Sequence, residues 1–239
     1  MKEPLIDGLL RREEVMNIVA APKTGKSWMV MQLALALVTG KQWCGRECTM
    51  SQVLLVDNEL HRETLSCRLQ RVAMVMGISD DDELLDGLPL LSQRGAATDI
   101  RLLKSQLNKH SSPKFDIIII DALYKVLPKD VDENSNGQIT GIYNLLDNYA
   151  LNAGAAIVLV HHTSKSNQSN KSVTDIGSGA GAQSQSPDTH LTLRQHSAEG
   201  VVLAFCCVRS FSPVEPFCLR RDENNLWSLA PEHDPNDMA

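Results

Sequence analysis

At 239 residues, 43% of them hydrophobic and 22% charged, the chain is long enough to bury a substantial core and is no disordered polymer. Its net charge of −6 excludes a broadly basic surface of the kind that holds nucleic acid non-specifically, while a local basic channel completed by neighbouring subunits stays open. No apolar run approaches membrane-spanning length, the start at Met1-Lys2-Glu3-Pro4 has no signal-peptide character, and six cysteines without a C-x-x-C pair read as reduced thiols, so a cytoplasmic protein with no membrane partner is expected.

In chain order, residues 1–15 form a lead-in whose Leu5-Ile6-Asp7-Gly8-Leu9-Leu10 packs against the main domain. Met16 to Ala20 reads as a buried strand. Ser27 to Val38 reads as a helix, with Met29, Val30, Leu33, Ala34 and Leu37 on one face and Gly40 at its end. Gly40 to Gln52 is a loop or short hairpin carrying Trp43, and Val53 to Asp57 a second apolar strand. A helix is predicted from His61 to Met76, a brief strand over Leu88 to Leu91, and an amphipathic helix from Asp99 to His110 with Asp99 as its cap. Phe115 to Asp121 is the most strand-like run of the chain. A polar loop from Lys125 to Gly137, a helix over Gln138 to Asn152 and a strand over Ala155 to Val160 come next.

Thr163 to Pro187 is Ser-, Asn-, Gln- and Gly-rich, and is expected to be a long functional or structureless loop. The remainder changes character. His190 to Gln195, Val201 to Arg209, Phe217 to Arg221 and Leu226 to Leu229 read as consecutive antiparallel strands, and Glu232 to Ala239 as a polar tail. Apolar strands alternating with helices predict an α/β fold with a mainly parallel central sheet flanked by helices, and antiparallel strands at its C-terminal end.

Ligands of such sheets bind at the carboxyl ends of the strands, where Ser27, Glu59, Asp121 and His162 all fall. Ala20-Ala21-Pro22-Lys23-Thr24-Gly25-Lys26-Ser27, between a strand and a helix, is a P-loop whose usual first glycine is Ala20. An alanine fits there if its φ is negative. Backbone N–H groups of Pro22 to Trp28 (Lys23, Thr24, Gly25, Lys26 and Ser27 between them, proline itself lacking a donor) surround a polyphosphate. Lys26 reaches its outer phosphates and the Ser27 hydroxyl ligates Mg²⁺. Asp121 closes a run of four isoleucines as a Walker B carboxylate that also holds Mg²⁺. Ala122 comes directly after it, so no glutamate stands beside the aspartate, and Glu59 is the candidate general base. His161 and His162 point to opposite faces, and His162 is the candidate for a hydrogen bond toward the γ-phosphate.

These segments, with Val158-Leu159-Val160-His161-His162-Thr163-Ser164-Lys165, Val208-Arg209-Ser210 and Leu219-Arg220-Arg221-Asp222, resemble the RecA-like P-loop ATPases, in particular the RepA-type hexameric plasmid replicative helicases. The resemblance spans nearly the whole chain. It implies one RecA-like ATPase domain over residues 1–231 with the tail at 232–239. It implies ATP and Mg²⁺ as ligands, and a homo-oligomer, a hexameric ring or a dimer, in which a basic residue reaches a neighbour's γ-phosphate. Arg209 matches a basic residue of that late strand. The 163–187 loop lies where the family's DNA-contacting loop lies, with Lys165 and Lys171 toward phosphates of single-stranded DNA and Gly177 and Gly179 allowing close backbone approach. Two other readings stand beside this one: a regulatory or signalling ATPase that binds protein partners without moving on DNA, and a small-molecule kinase, for which the loop lacks a lid arginine.

Overall fold

The computed structural model describes residues 2–79, 83–96, 99–102, 114–162 and 182–238. Two short strands, β1 (Pro4–Ile6) and β2 (Leu10–Arg11), pair antiparallel, which gives the lead-in a structure of its own and buries Leu5, Ile6, Leu9 and Leu10. The other strands are β3 (Val15–Ala20), β4 (Val53–Asp57), β5 (Leu90–Ser92), β6 (Ile117–Asp121), β7 (Ala156–His162), β8 (Thr189–Gln195), β9 (Val201–Val208), β10 (Val214–Arg221) and β11 (Trp227–Leu229). Among the described residues these nine form one sheet in the order β11-β10-β9-β8-β3-β7-β6-β4-β5. From β5 to β8 every pairing is parallel, and β8/β9, β9/β10 and β10/β11 are antiparallel.

Strand periodicity divides the core. On β6, Ile117 and Ile119 face one layer while Ile118 and Ile120 face the other; on β7, Ala156, Val158 and Val160 alternate in the same way with Ile157 and Leu159. Helices α1 (Lys26–Thr39) and α2 (Arg62–Val75) cover the first face, and α3 (Asn136–Ala153) covers the second. Both faces being buried is why these strands read as continuous apolar runs. α1 closes on Gly40 at φ 67, whose N–H bonds the Ala36 carbonyl. Trp43 is buried in a tight turn, its indole N–H donating to Met29 O at 3.2 Å.

The sequence expectation of an irregular segment up to Pro187 is corrected at its end, where Ala182–Gln185 forms a short helix, α4. Ala182 and Gln183 are buried, and the Gln183 carbonyl accepts a bond from Asn17 Nδ2 at 2.7 Å. The expected helix from Asp99 lies mostly outside the described residues, and its start, Ile100–Leu102, is a 3-10 turn. Beyond Ala230 the chain folds back on the sheet, where His196 and Met238 form a β-bridge and Ser197 N donates to Asp237 O at 3.2 Å. Among the described residues no helix is long and apolar enough to cross a membrane.

Candidate nucleotide site

Parallel registry brings the carboxyl ends of four strands level. Ala20 pairs with His162 on one side and Leu193 on the other, and Asp57 pairs with Asp121. Ala20 is an extended, fully buried residue at the end of β3, with none of the positive φ that would demand glycine. The chain turns through Lys23 at φ 67 and Gly25 at φ 103 into α1. Gly25 caps that helix without a side-chain acceptor, so the first N–H groups of α1 stay free for an anion at its positive end. Thr24 Oγ1 donates to Ala21 O at 2.7 Å and tightens the loop from within. Trp28 packs against the core with the Arg68 guanidinium 5.0 Å from its ring centre.

Lys26 is buried and folds back over the loop, donating to the carbonyls of Ala20 and Ala21, each at 2.8 Å. Burial lowers its ammonium to about 8, against the opposing pull of Asp121 and Glu59. The Ser27 hydroxyl stands beside the Asp121 carboxylate. Burial pushes that carboxyl up to about 7; the Ser27 hydroxyl pulls it down, and Asp57 and Glu59 push it up again. Among the described residues no three His, Cys, Asp or Glu side chains cluster as a metal site; a buried carboxylate with the Ser27 hydroxyl beside it at the P-loop is the donor pair that fits Mg²⁺.

Glu59 stands two residues beyond β4 in a turn built by Asp57, whose Oδ1 accepts the N–H groups of Glu59 at 2.9 Å and Leu60 at 2.7 Å. Its Oε1 accepts the Tyr124 hydroxyl at 2.8 Å and meets His162 Nε2 at 3.1 Å. The His162 bond is the main cause holding the Glu59 carboxyl below the usual range. Tyr124 is pushed up to about 12, by burial and then by Glu59, so it keeps its proton and donates. His161 faces the other layer, where the Tyr143 hydroxyl lies 3.2 Å from its Nε2. Asn58 Oδ1 and His162 Nδ1, of residues flanking Glu59 in the chain and in space, are buried without a hydrogen-bond partner among the described residues.

Lys26, Ser27, Glu59, Asp121 and His162 therefore meet at one edge of the sheet. Arg209 does not join them. β9 runs opposite to β8, so its end falls at the amino edge, where Arg209 N bonds Asp188 O at 2.9 Å and its guanidinium bonds the Gln185 carbonyl. That is about five strand residues, or ~17 Å, from its own P-loop. Lys165, Lys171, Gly177 and Gly179 lie outside the described residues. Sequence reasoning left Asp57 and Tyr124 without roles, and it missed Arg94, whose Nη1 donates to Glu59 O at 2.7 Å. A signal was present: Tyr124 and Arg94 each sit just past the end of a strand flanking β4.

Solved structures with the same architecture include the ATPase domain of G40P, with TM-score 0.68, 14% identity and coverage of 92% of this chain and 86% of that one. The RadB recombinase aligns with TM-score 0.62 at 14% identity, over 92% and 91% of the two chains. A DnaB-like replicative helicase, described with its interactions with primase, gives TM-score 0.66 and 16% identity over 92% of this chain and 58% of that one. No curated protein matches the sequence significantly. The model of the AAA domain family matches residues 1–168, a span that holds the P-loop, Glu59, Asp121 and His162. The chain belongs to the AAA domain family, with the RecA-like P-loop ATPase fold of its structural neighbours.

Proposed function

We propose that this protein binds and hydrolyses ATP as a RecA-like motor domain acting on DNA in replication or recombination, in a ring of like subunits. One observation carries the reading: Lys26, the Ser27–Asp121 pair and the Glu59–His162 pair converge where the P-loop opens. Lys26 exchanges its bonds to Ala20 and Ala21 for the outer phosphates, and α1 receives the phosphates on its free N–H groups. Ser27 and Asp121 would hold Mg²⁺, which would supply positive charge against the charge that develops on the phosphates. Glu59 is ionised at neutral pH, and both of its side-chain bonds end on Oε1. Oε2 is thus the atom to take a proton from an attacking water. Lys165 and Lys171 are the DNA phosphate contacts in this reading, and Gly177 and Gly179 allow close approach of the backbone. The helicase and recombinase names among the structural neighbours support the DNA-directed part.

Arg209 held by a carbonyl of its own chain favours a second reading, an ATPase switch that binds protein partners. Steady-state ATP turnover with and without single-stranded DNA separates the two. Stimulation supports the motor, and ATP turnover indifferent to DNA supports the switch. Lys26→Ala should abolish binding of a non-hydrolysable ATP analogue by calorimetry while leaving the melting temperature near that of the parent; unchanged affinity would remove the basis of both readings.

A further inference from the structure

β10 runs in the direction of β3, because two antiparallel steps separate it from β8. Its last residue, Arg221, therefore emerges at the same edge as the P-loop. Arg221 Nη1 lies against the face of Gly25 where a side chain would begin, with Arg221 Cδ 3.3 Å and Trp227 Cζ2 3.2 Å from that point. Glycine is needed there twice, for φ 103 and for the room the guanidinium takes. The Trp227 ring centre lies 5.8 Å from the guanidinium carbon, and the indole N–H donates to Gly25 O at 3.4 Å. The Trp227 backbone is itself tied to α1: Gln32 Oε1 accepts its main-chain N–H and Gln32 Nε2 donates to its carbonyl, both at 2.9 Å.

Among the described residues Arg221 has no ion pair. A guanidinium beside the positive end of a helix and on the same loop as Lys26 is repelled by both, unless an anion lies between them. We propose that Arg221 is a phosphate ligand supplied in cis by the C-terminal strands, held ready on Trp227 and turning its planar donor pair onto the polyphosphate that the P-loop binds. This rests on the reading of the P-loop as an ATP site. It makes the antiparallel part of the sheet a wall of that site, through a residue distinct from Arg209.

The test is calorimetric titration of the full chain with a non-hydrolysable ATP analogue and with inorganic tripolyphosphate, for the wild type and for Lys26→Ala, Arg221→Ala and Arg221→Lys. Arg221→Ala should weaken both probes by about tenfold or more, the scale of a charge-assisted hydrogen bond. Arg221→Lys should recover part of that loss, and both Arg221 variants should melt near the parent temperature without ligand. Binding lost in Lys26→Ala but intact in Arg221→Ala overturns this inference alone. A loss confined to the ATP analogue overturns it too, since Arg221 would then serve base or ribose. So does an equal loss in the lysine variant with a lowered melting temperature, which marks a packing role. A wild type that binds neither probe overturns the nucleotide reading itself, and this inference with it.

Discussion

Glu59 owes its place to its neighbours. Asp57 fixes the turn, Arg94 holds the backbone carbonyl, and Tyr124 and His162 hold one carboxylate oxygen. As the proposed base, a carboxylate so fixed would act with little reorganisation, at the expense of intrinsic basicity, since the same bonds keep its pKa low. Glu59→Gln should keep binding of the ATP analogue and slow single-turnover hydrolysis by roughly 10² or more. An unaffected rate would place the base elsewhere. Tyr124→Phe should cost about fivefold in the same assay with little change in affinity, the worth of one ordinary hydrogen bond of ~1 kcal/mol. Asp121 and Lys26 were legible from local sequence because each motif is continuous. The contacts of Tyr124 and Arg94 with Glu59, and of Arg221 with the P-loop, were not, since they depend on which strands are neighbours in the sheet.

At the scale of elements, the apolar strands announced themselves, and their alternation decides that His162, not His161, meets Glu59. The polar seam between β3, β7, β8, α3 and α4 did not. Asn17 interrupts an apolar run, and its Nδ2 donates to the Tyr143 hydroxyl at 2.6 Å, a partner 126 positions away. The helix α4 is Ala-Gln-Ser-Gln, too short and too polar for any periodicity, and is held by that same asparagine. Two histidines sit in this seam. Burial, followed by the charges of His190, His162 and Lys26, lowers His161 to about 3, and burial lowers His190 to about 4. Both folded-state values lie below the ordinary value near 6.5. The unfolded chain therefore binds more protons as pH falls from about 6.5 toward 4, and stability falls with it. At pH 5 each histidine contributes about 2 kcal/mol to that loss. Urea unfolding of the wild type and of His190→Asn at pH 7 and pH 5 checks this. The variant should lose about 2 kcal/mol less than the wild type between the two pH values, and parallel losses would show that His190 is not the titrating group.

At the scale of the molecule, the nucleotide site and Arg209 stand on opposite edges of one sheet, so Arg209 cannot serve its own P-loop. In the turn that follows it the Arg11 guanidinium lies 4.2 Å from the ring centre of Phe211. A cation at one edge and the proposed phosphate site at the other suit head-to-tail assembly, the geometry from which rings close. Arg209 would then exchange its bond to the Gln185 carbonyl for a neighbour's γ-phosphate. A trans cation of this kind can be worth ~10³-fold in rate. Turnover per subunit should accordingly rise steeply with protein concentration and fall in Arg209→Ala. Mixing Arg209→Ala with Glu59→Gln should restore part of the activity, because a mixed interface can pair an intact Glu59 from one subunit with an intact Arg209 from the next. Mixing Arg221→Ala with Lys26→Ala should restore none at the shared site, since both defects lie in the same subunit's nucleotide pocket. Turnover per subunit that stays flat across concentrations at which light scattering reports only monomer would exclude the trans site and leave a monomeric switch.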